Sequence, residues 1–145
     1  MAFVYCGFLK EPTGLMKIFL LCLSIINVCL ARAGFHLVPY IETVDARWLA
    51  YVTSGGYVLI LSVLVLSMIF SNEMSMSADI LFSLVGTALY LATGTMAVMA
   101  YDDTEDDYRR NEGMAFGGMC IVTGIIYFIH LVLLLKKLRS NKSTI

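Results

Sequence analysis

The stretch "KIFLLCLSIINVCLARAG", residues 17–34, decides how many times this chain crosses a membrane. Its uncharged centre, Ile18 to Ala31, is fourteen residues long and is bounded by Lys17 and Arg32. A basic flank, a short apolar core and an Ala31-Arg32-Ala33 end also describe a secretory signal that is cut away. Read instead from Leu15 to Ala33, the segment is nineteen residues long. At ~1.5 Å per residue a helix of that length approaches the ~30 Å of a hydrocarbon core. Lys17 and Arg32 then lie near its two ends, where long side chains can snorkel toward water. Pro12 and Gly14 are expected to end any structure before Leu15. The first reading leaves three spans and the second gives four.

Three further segments need no such decision. Trp48 to Asn72, Ile80 to Tyr101 and Gly113 to Leu135 contain no Asp, Glu, Lys or Arg. The 145 residues are 59% hydrophobic and 14% charged, with a mean hydropathy of +0.82, too little charge to cover a soluble domain of this size. An open sheet leaves backbone polar groups unsatisfied in lipid, so the crossing segments are helices. The expected architecture is all-α: an integral membrane four-helix bundle in one domain, 1–145, with spans at about 15–33, 51–70, 80–100 and 114–135.

Charge sets the expected orientation. Six of the ten basic residues sit toward the termini: Lys10, Lys17, Lys136, Lys137, Arg139 and Lys142. Eight of the eleven acidic residues fall in 34–50 and 101–113. The positive-inside rule then places both termini in the cytoplasm and the two acidic loops outside. The connection "SNEMSMSAD", 71–79, reads as a tight cytoplasmic turn, with Asp79 at a helix N-terminus where its charge meets the positive end of the dipole. Trp48 and Tyr51 are expected as interface anchors.

Reactive chemistry is sparse. The four cysteines, Cys6, Cys22, Cys29 and Cys120, lie in or beside apolar segments, so no disulfide-braced ectodomain is expected. Cys6 is a weak candidate for palmitoylation. His36 and His130 lack the company of other ligands, and "DDTEDD" lacks the alternating ligands and central glycine of a calcium loop. No serine or cysteine has a base and an orienting partner at a recognisable spacing. With no charge inside spans two and three, enzyme, pump and small-channel readings are all disfavoured. No cofactor, metal or nucleic-acid partner is expected.

Small residues say more. Gly113, Gly117, Gly118 and Gly124 line span four, and Gly86 and Gly94 lie in span three with Ala88, Ala92 and Ala97. Such residues let helix backbones approach where lipid supplies no hydrophobic drive. Internal packing is the preferred reading, and a homo-oligomer seam is the other use of the same surface.

Arg110, Gly113, Ala115, Gly117, Cys120, Gly124 and Tyr127 stand as R-x-x-G-x-A-x-G-x-x-C-x-x-x-G-x-x-Y. This pattern resembles the last span of the snakeskin-like family, four-span MARVEL-like proteins of arthropod smooth septate junctions. The resemblance extends to "VTSGG" (52–56), "DILFSLVG" (79–86) and Arg32-x-Gly34, while the outer loops are shorter and more acidic. It implies that the first segment is retained, which favours four spans. It also implies a plasma-membrane protein of the lateral cell–cell junction that helps septate-junction assembly and the paracellular barrier. The partners implied are the lipid bilayer and other junctional membrane proteins. Claudin-like and tetraspanin-like readings fail for want of a large, cysteine-bearing ectodomain. A MARVEL-like membrane-organising or vesicle-trafficking role is the alternative.

The last three residues, Ser143, Thr144 and Ile145, place a hydroxyl two positions before an aliphatic carboxyl end. That pattern resembles a ligand for a cytoplasmic PDZ scaffold, which would add the peptide as a strand to a sheet edge. The pattern is loose, and the competing reading is a charged tail lying at the membrane surface.

Overall fold

The first helix opens on a proline. A computed structural model of the chain describes residues 12–33, 44–69, 76–102 and 107–142, and all of them are helical. Helix α1 runs Pro12–Ala33, α2 Val44–Ile69, α3 Met76–Asp102 and α4 Asp107–Lys142. Pro12 therefore starts α1 rather than closing the segment before it. The first helical position needs no amide donor, and proline's fixed φ already suits a helix.

The other boundaries also move outward from the apolar runs. Residues 44–50, expected in the first outer loop, form the opening of α2, and Met76 to Asp79, expected in a turn, form the first turn of α3. Asp107 to Glu112, expected in the second loop, begin α4. Charged residues end a hydrophobic segment without ending a helix, because backbone hydrogen bonding continues wherever water or lipid headgroups can solvate the side chains. Helix α4, at 36 residues, is roughly 54 Å long and extends beyond its apolar run, Gly113 to Leu135, at both ends. All four helices are long and apolar enough to cross a membrane.

The helices pack as a ring, α1 against α2, α2 against α3, α3 against α4 and α4 back against α1, with the α3–α4 contact the most extensive. Lys17 near the start of α1, Leu64 near the end of α2, Asp79 near the start of α3 and His130 in the second half of α4 border one cavity. The helices thus alternate in direction, and α1 begins at the end of the bundle where α4 finishes.

The distribution of polarity is that of a multi-pass membrane protein. Outward faces carry Leu59 (70% exposed), Val63 and Met99 (75% exposed), while Ser24, Asn27, Thr53, Ser83, Thr93, Thr123 and His130 are buried. A water-soluble bundle reverses this arrangement. Trp48 is exposed near the start of α2.

Candidate functional site

The interior contains two features, a glycine seam and a stack of polar layers. The buried face of α4 reads Gly113, Phe116, Gly117, Cys120, Thr123, Gly124, Tyr127, His130, Leu131 and Leu134. Steps of three and four keep one stripe of a helix on one side. On α3 the same steps bury Asp79, Ser83, Gly86, Thr87, Tyr90, Thr93, Gly94, Ala97 and Tyr101.

The glycines on these stripes do three different jobs. At Gly94 an added Cβ would lie 2.8 Å from the Gly117 carbonyl oxygen and 2.9 Å from the Ile121 nitrogen. At Gly117 it would lie 2.8 Å from Val98 Cγ2 and 3.1 Å from the Gly94 carbonyl oxygen. These two glycines face each other and let the α3 and α4 backbones touch. Gly86 and Gly113 instead make room for aromatic rings. A Cβ at Gly86 would meet Tyr57 at 2.8 Å and Tyr127 at 3.1 Å, and one at Gly113 would enter the Tyr101 ring at 2.1 Å. Gly124 admits Leu91, whose Cγ would be 2.9 Å from the added atom. Gly118 does not share the expected packing role: an added Cβ there meets nothing within 4 Å. One step from Gly117 is a turn of about 100° on a helix, which takes Gly118 off the seam.

The polar side chains form three layers. Near the start of α1, Lys17 Nζ donates to Asp79 Oδ2 across the bundle. Lys17, expected to snorkel to water, is 5% exposed, and Asp79 points inward to the ammonium. The start of α3 faces the start of α1, so the two charges meet inside more closely than either reaches the surface. Beside them Ser83 Oγ and His130 Nδ1 lie 3.0 Å apart.

The middle layer is aromatic. Tyr90 and Tyr127 stack with centroids 5.5 Å apart, and Tyr57 meets both edge-on at 5.5 and 5.4 Å. Such pairs contribute about 0.5–1.5 kcal/mol each beyond their burial. Tyr90 Oη donates to Ser24 Oγ at 3.0 Å, and Tyr57 Oη donates to the Phe82 carbonyl at 3.0 Å. Tyr90→Phe keeps the stacked ring and loses one interhelical hydrogen bond, so its expected cost is about 0.6 kcal/mol. Tyr90→Ala is expected to lose about 3–5 kcal/mol. Thermal unfolding midpoints in detergent micelles check the contrast between the two.

In the third layer Asn27 Nδ2 donates to Thr123 Oγ1 at 2.8 Å, and Cys120 Sγ lies 3.7 Å from Asn27 Oδ1 as a weak donor. Thr93 Oγ1 donates to Thr53 Oγ1 at 3.3 Å. Every layer includes a bond between different helices, and α1 supplies one partner in each. This arrangement fixes helix register and orientation.

The residues behind the family resemblance divide between the interior and the surface, with Val52, Leu81, Leu84 and Val85 exposed. Gly113, Gly117, Cys120, Gly124 and Tyr127 are buried on α4, Thr53 and Ser54 on α2, and Asp79, Ser83 and Gly86 on α3. Ala115 and Arg110 are exposed, with an Arg110 nitrogen 3.4 Å from Asp102 Oδ1 in a surface pair of little energetic weight. Among the described residues no three His, Cys, Asp or Glu side chains gather to hold a metal. Cys6, His36, Ser143, Thr144 and Ile145 lie outside the described residues, as does the side chain of Arg32. No family model matches the chain, and neither curated proteins nor solved structures provide a match.

Proposed function

We propose that the chain is a non-enzymatic, four-span, MARVEL-like membrane protein of the snakeskin-like kind, which helps assemble epithelial junctions and their paracellular barrier. The observation that carries this reading is that most of the α4 residues behind the resemblance lie on the buried face of that helix. The spaced Gly113, Gly117, Cys120, Gly124 and Tyr127 are the residues that pack α4. Its mode of action is lateral: a rigid bundle presents apolar outer faces to lipid and to neighbouring membrane proteins, and short acidic loops to the outside. Other copies of the chain are candidate neighbours, and the Ser143-Thr144-Ile145 tail is the candidate contact for a cytoplasmic scaffold.

Tagged protein imaged in a polarised epithelium tests the reading. Enrichment at lateral cell borders supports the junctional role, and a punctate endomembrane pattern replaces it with a trafficking role.

Orientation has its own test. Asn141-Lys142-Ser143 is an acceptor sequon, and the basic residues around it argue for a cytoplasmic tail. The expected result is no glycosidase-sensitive band. A band shift abolished by Asn141→Gln inverts the topology.

A further inference from the structure

We propose that the projecting end of α4 is a binding site for an anionic phospholipid, with Lys136 and Arg139 on its headgroup and the apolar stripe beneath them along an acyl chain. The inference requires that the bundle cross a membrane and does not depend on the junctional role.

Helix lengths create the site. Lys17, Leu64, Asp79 and His130 border one cavity and so mark one level of the bundle. From that level α1 and α2 continue for five residues, to Pro12 and Ile69, and α3 for three, to Met76, so all three end within about 8 Å. Helix α4 continues for twelve residues, to Lys142, or about 18 Å. From Lys136 onward it therefore projects beyond the helical ends of α1, α2 and α3. The apolar run ends at Leu135, so the projection begins where hydrocarbon gives way to headgroups.

This projection is basic. Lys136 and Arg139 are exposed, and neither has an acidic partner among the described residues. Residues three apart on a helix have Cβ atoms about 5–6 Å from each other on one face. Two cations at that spacing can share one phosphate, and the planar guanidinium of Arg139 can grip it through two nitrogens. Across the whole sequence at this end, Lys10, Lys136, Lys137, Arg139 and Lys142 outnumber Glu11 and Glu73 once Lys17 and Asp79 have paired. A cluster of basic residues just past a crossing helix is the pattern that draws anionic lipid.

The stripe below selects a lipid over a soluble anion. Ile125, Phe128 and Leu135 are 49%, 54% and 45% exposed, and Val132 between them is half-buried. Continued to Arg139, these residues recur at steps of three, four, three and four, which is one line along a helix. A ligand that follows the line is aliphatic for about 15 Å and anionic at its end. That describes a phospholipid and neither a free phosphate nor an acidic peptide. Basic side chains near a helix C-terminus also complement the helix dipole. The dipole is indifferent to which lipid is present, so lipid selectivity distinguishes the two roles.

Native mass spectrometry of the full chain, released from a neutral detergent, tests the site. Phosphatidylserine and phosphatidylcholine of identical acyl chains are titrated in competition. One basic residue near the headgroups is worth about 5-fold in binding, so wild type is expected to bind its first phosphatidylserine about 5- to 25-fold more tightly than phosphatidylcholine. Lys136→Gln combined with Arg139→Gln should lower that ratio by about 5-fold or more. Equal affinity of wild type for the two lipids overturns the site, and that measurement stands whether or not the variant folds. A ratio unchanged in the folded double variant overturns the assignment to Lys136 and Arg139. Glycerophosphoserine, the same headgroup without acyl chains, and a polyglutamate peptide should each leave the bound lipid in place at equal concentration. Displacement by either one assigns the end of α4 to a soluble anion or an acidic protein and overturns the lipid.

Discussion

Asp79→Ala is expected to destabilise the bundle by about 3–5 kcal/mol, because it leaves the Lys17 ammonium buried without its counter-charge. The two groups meet directly, and both side chains are almost wholly shielded, at 6% and 12% exposure. The large figure measures the damage of orphaning one charge and not the net worth of the pair. Taking two charges out of water consumes much of what their attraction returns. A second variant separates those quantities. Lys17→Met combined with Asp79→Leu removes both charges, and its stability is expected to return to within about 1 kcal/mol of wild type or to exceed it. Unfolding in mixed micelles of increasing SDS content reads both effects. A double variant as unstable as Asp79→Ala would mean that side-chain shape, and not charge, governs this layer. The same contacts bear on the first helix. Lys17, Ser24 and Asn27 bond Asp79, Tyr90 and Thr123 respectively, so a chain without α1 loses three bonds between helices. Of the three partners left behind, Thr123 alone keeps another bond, to the Met119 carbonyl on α4.

Three of the four helices could be read from their charge-free runs, since a segment of twenty or more uncharged residues has few other structures open to it. Helix α1, with an uncharged centre of fourteen, and the helix ends could not. The glycine pattern on α4 was equally readable as a stripe, because Gly113, Gly117, Cys120, Gly124 and Tyr127 recur at steps of four, three, four and three. Hidden from that reading was the difference among the glycines. Spacing places Gly86 and Gly94 on one face of α3, but only the identity of the opposite atoms makes one a socket for Tyr57 and the other a backbone contact. Gly118 looks equivalent to Gly117 in composition and differs from it by a single step of rotation. The ion pair was missed for a related reason. Lys17 and Asp79 each stand at the edge of an apolar run, where a solvated end is the ordinary expectation, and their meeting depends on how α1 and α3 align. A signal for the polar layers did exist in the sequence. Asp79, Ser83, Thr87, Tyr90 and Thr93 recur at steps of four, four, three and three, and Cys120, Thr123, Tyr127 and His130 at three, four and three. Polar groups spaced this way within a lipid-crossing helix mark the face that avoids lipid.

Gly94→Ala is expected to destabilise the bundle by about 1–3 kcal/mol, whereas Gly118→Ala should leave stability unchanged or raise it by up to about 1 kcal/mol. Both changes add the same methyl group to a helix interior, and both reduce the backbone freedom of the unfolded chain, so propensity alone favours alanine at each site. The environments decide the outcome. At Gly94 the new atom sits 2.8 Å from the Gly117 carbonyl oxygen and 2.7 Å from Ile121 Cγ1. The isoleucine can change rotamer, but the carbonyl belongs to the α4 backbone and yields only if the whole helix moves. That movement strains the neighbouring contacts of the same seam, with Leu91 at Gly124 and Val98 at Gly117 on either side. Gly117→Leu should be worse than Gly94→Ala, since it drives a full side chain into Val98 and the Gly94 backbone. Leu133→Ala, at a position 38% exposed, should matter less than either seam variant. SDS-titrated unfolding measures the stabilities, and surface delivery in epithelial cells reports whether the damaged bundle is still accepted. Equal stability for Gly94→Ala and Gly118→Ala would show that α3 and α4 are held by their polar layers alone and that the close backbone approach is incidental.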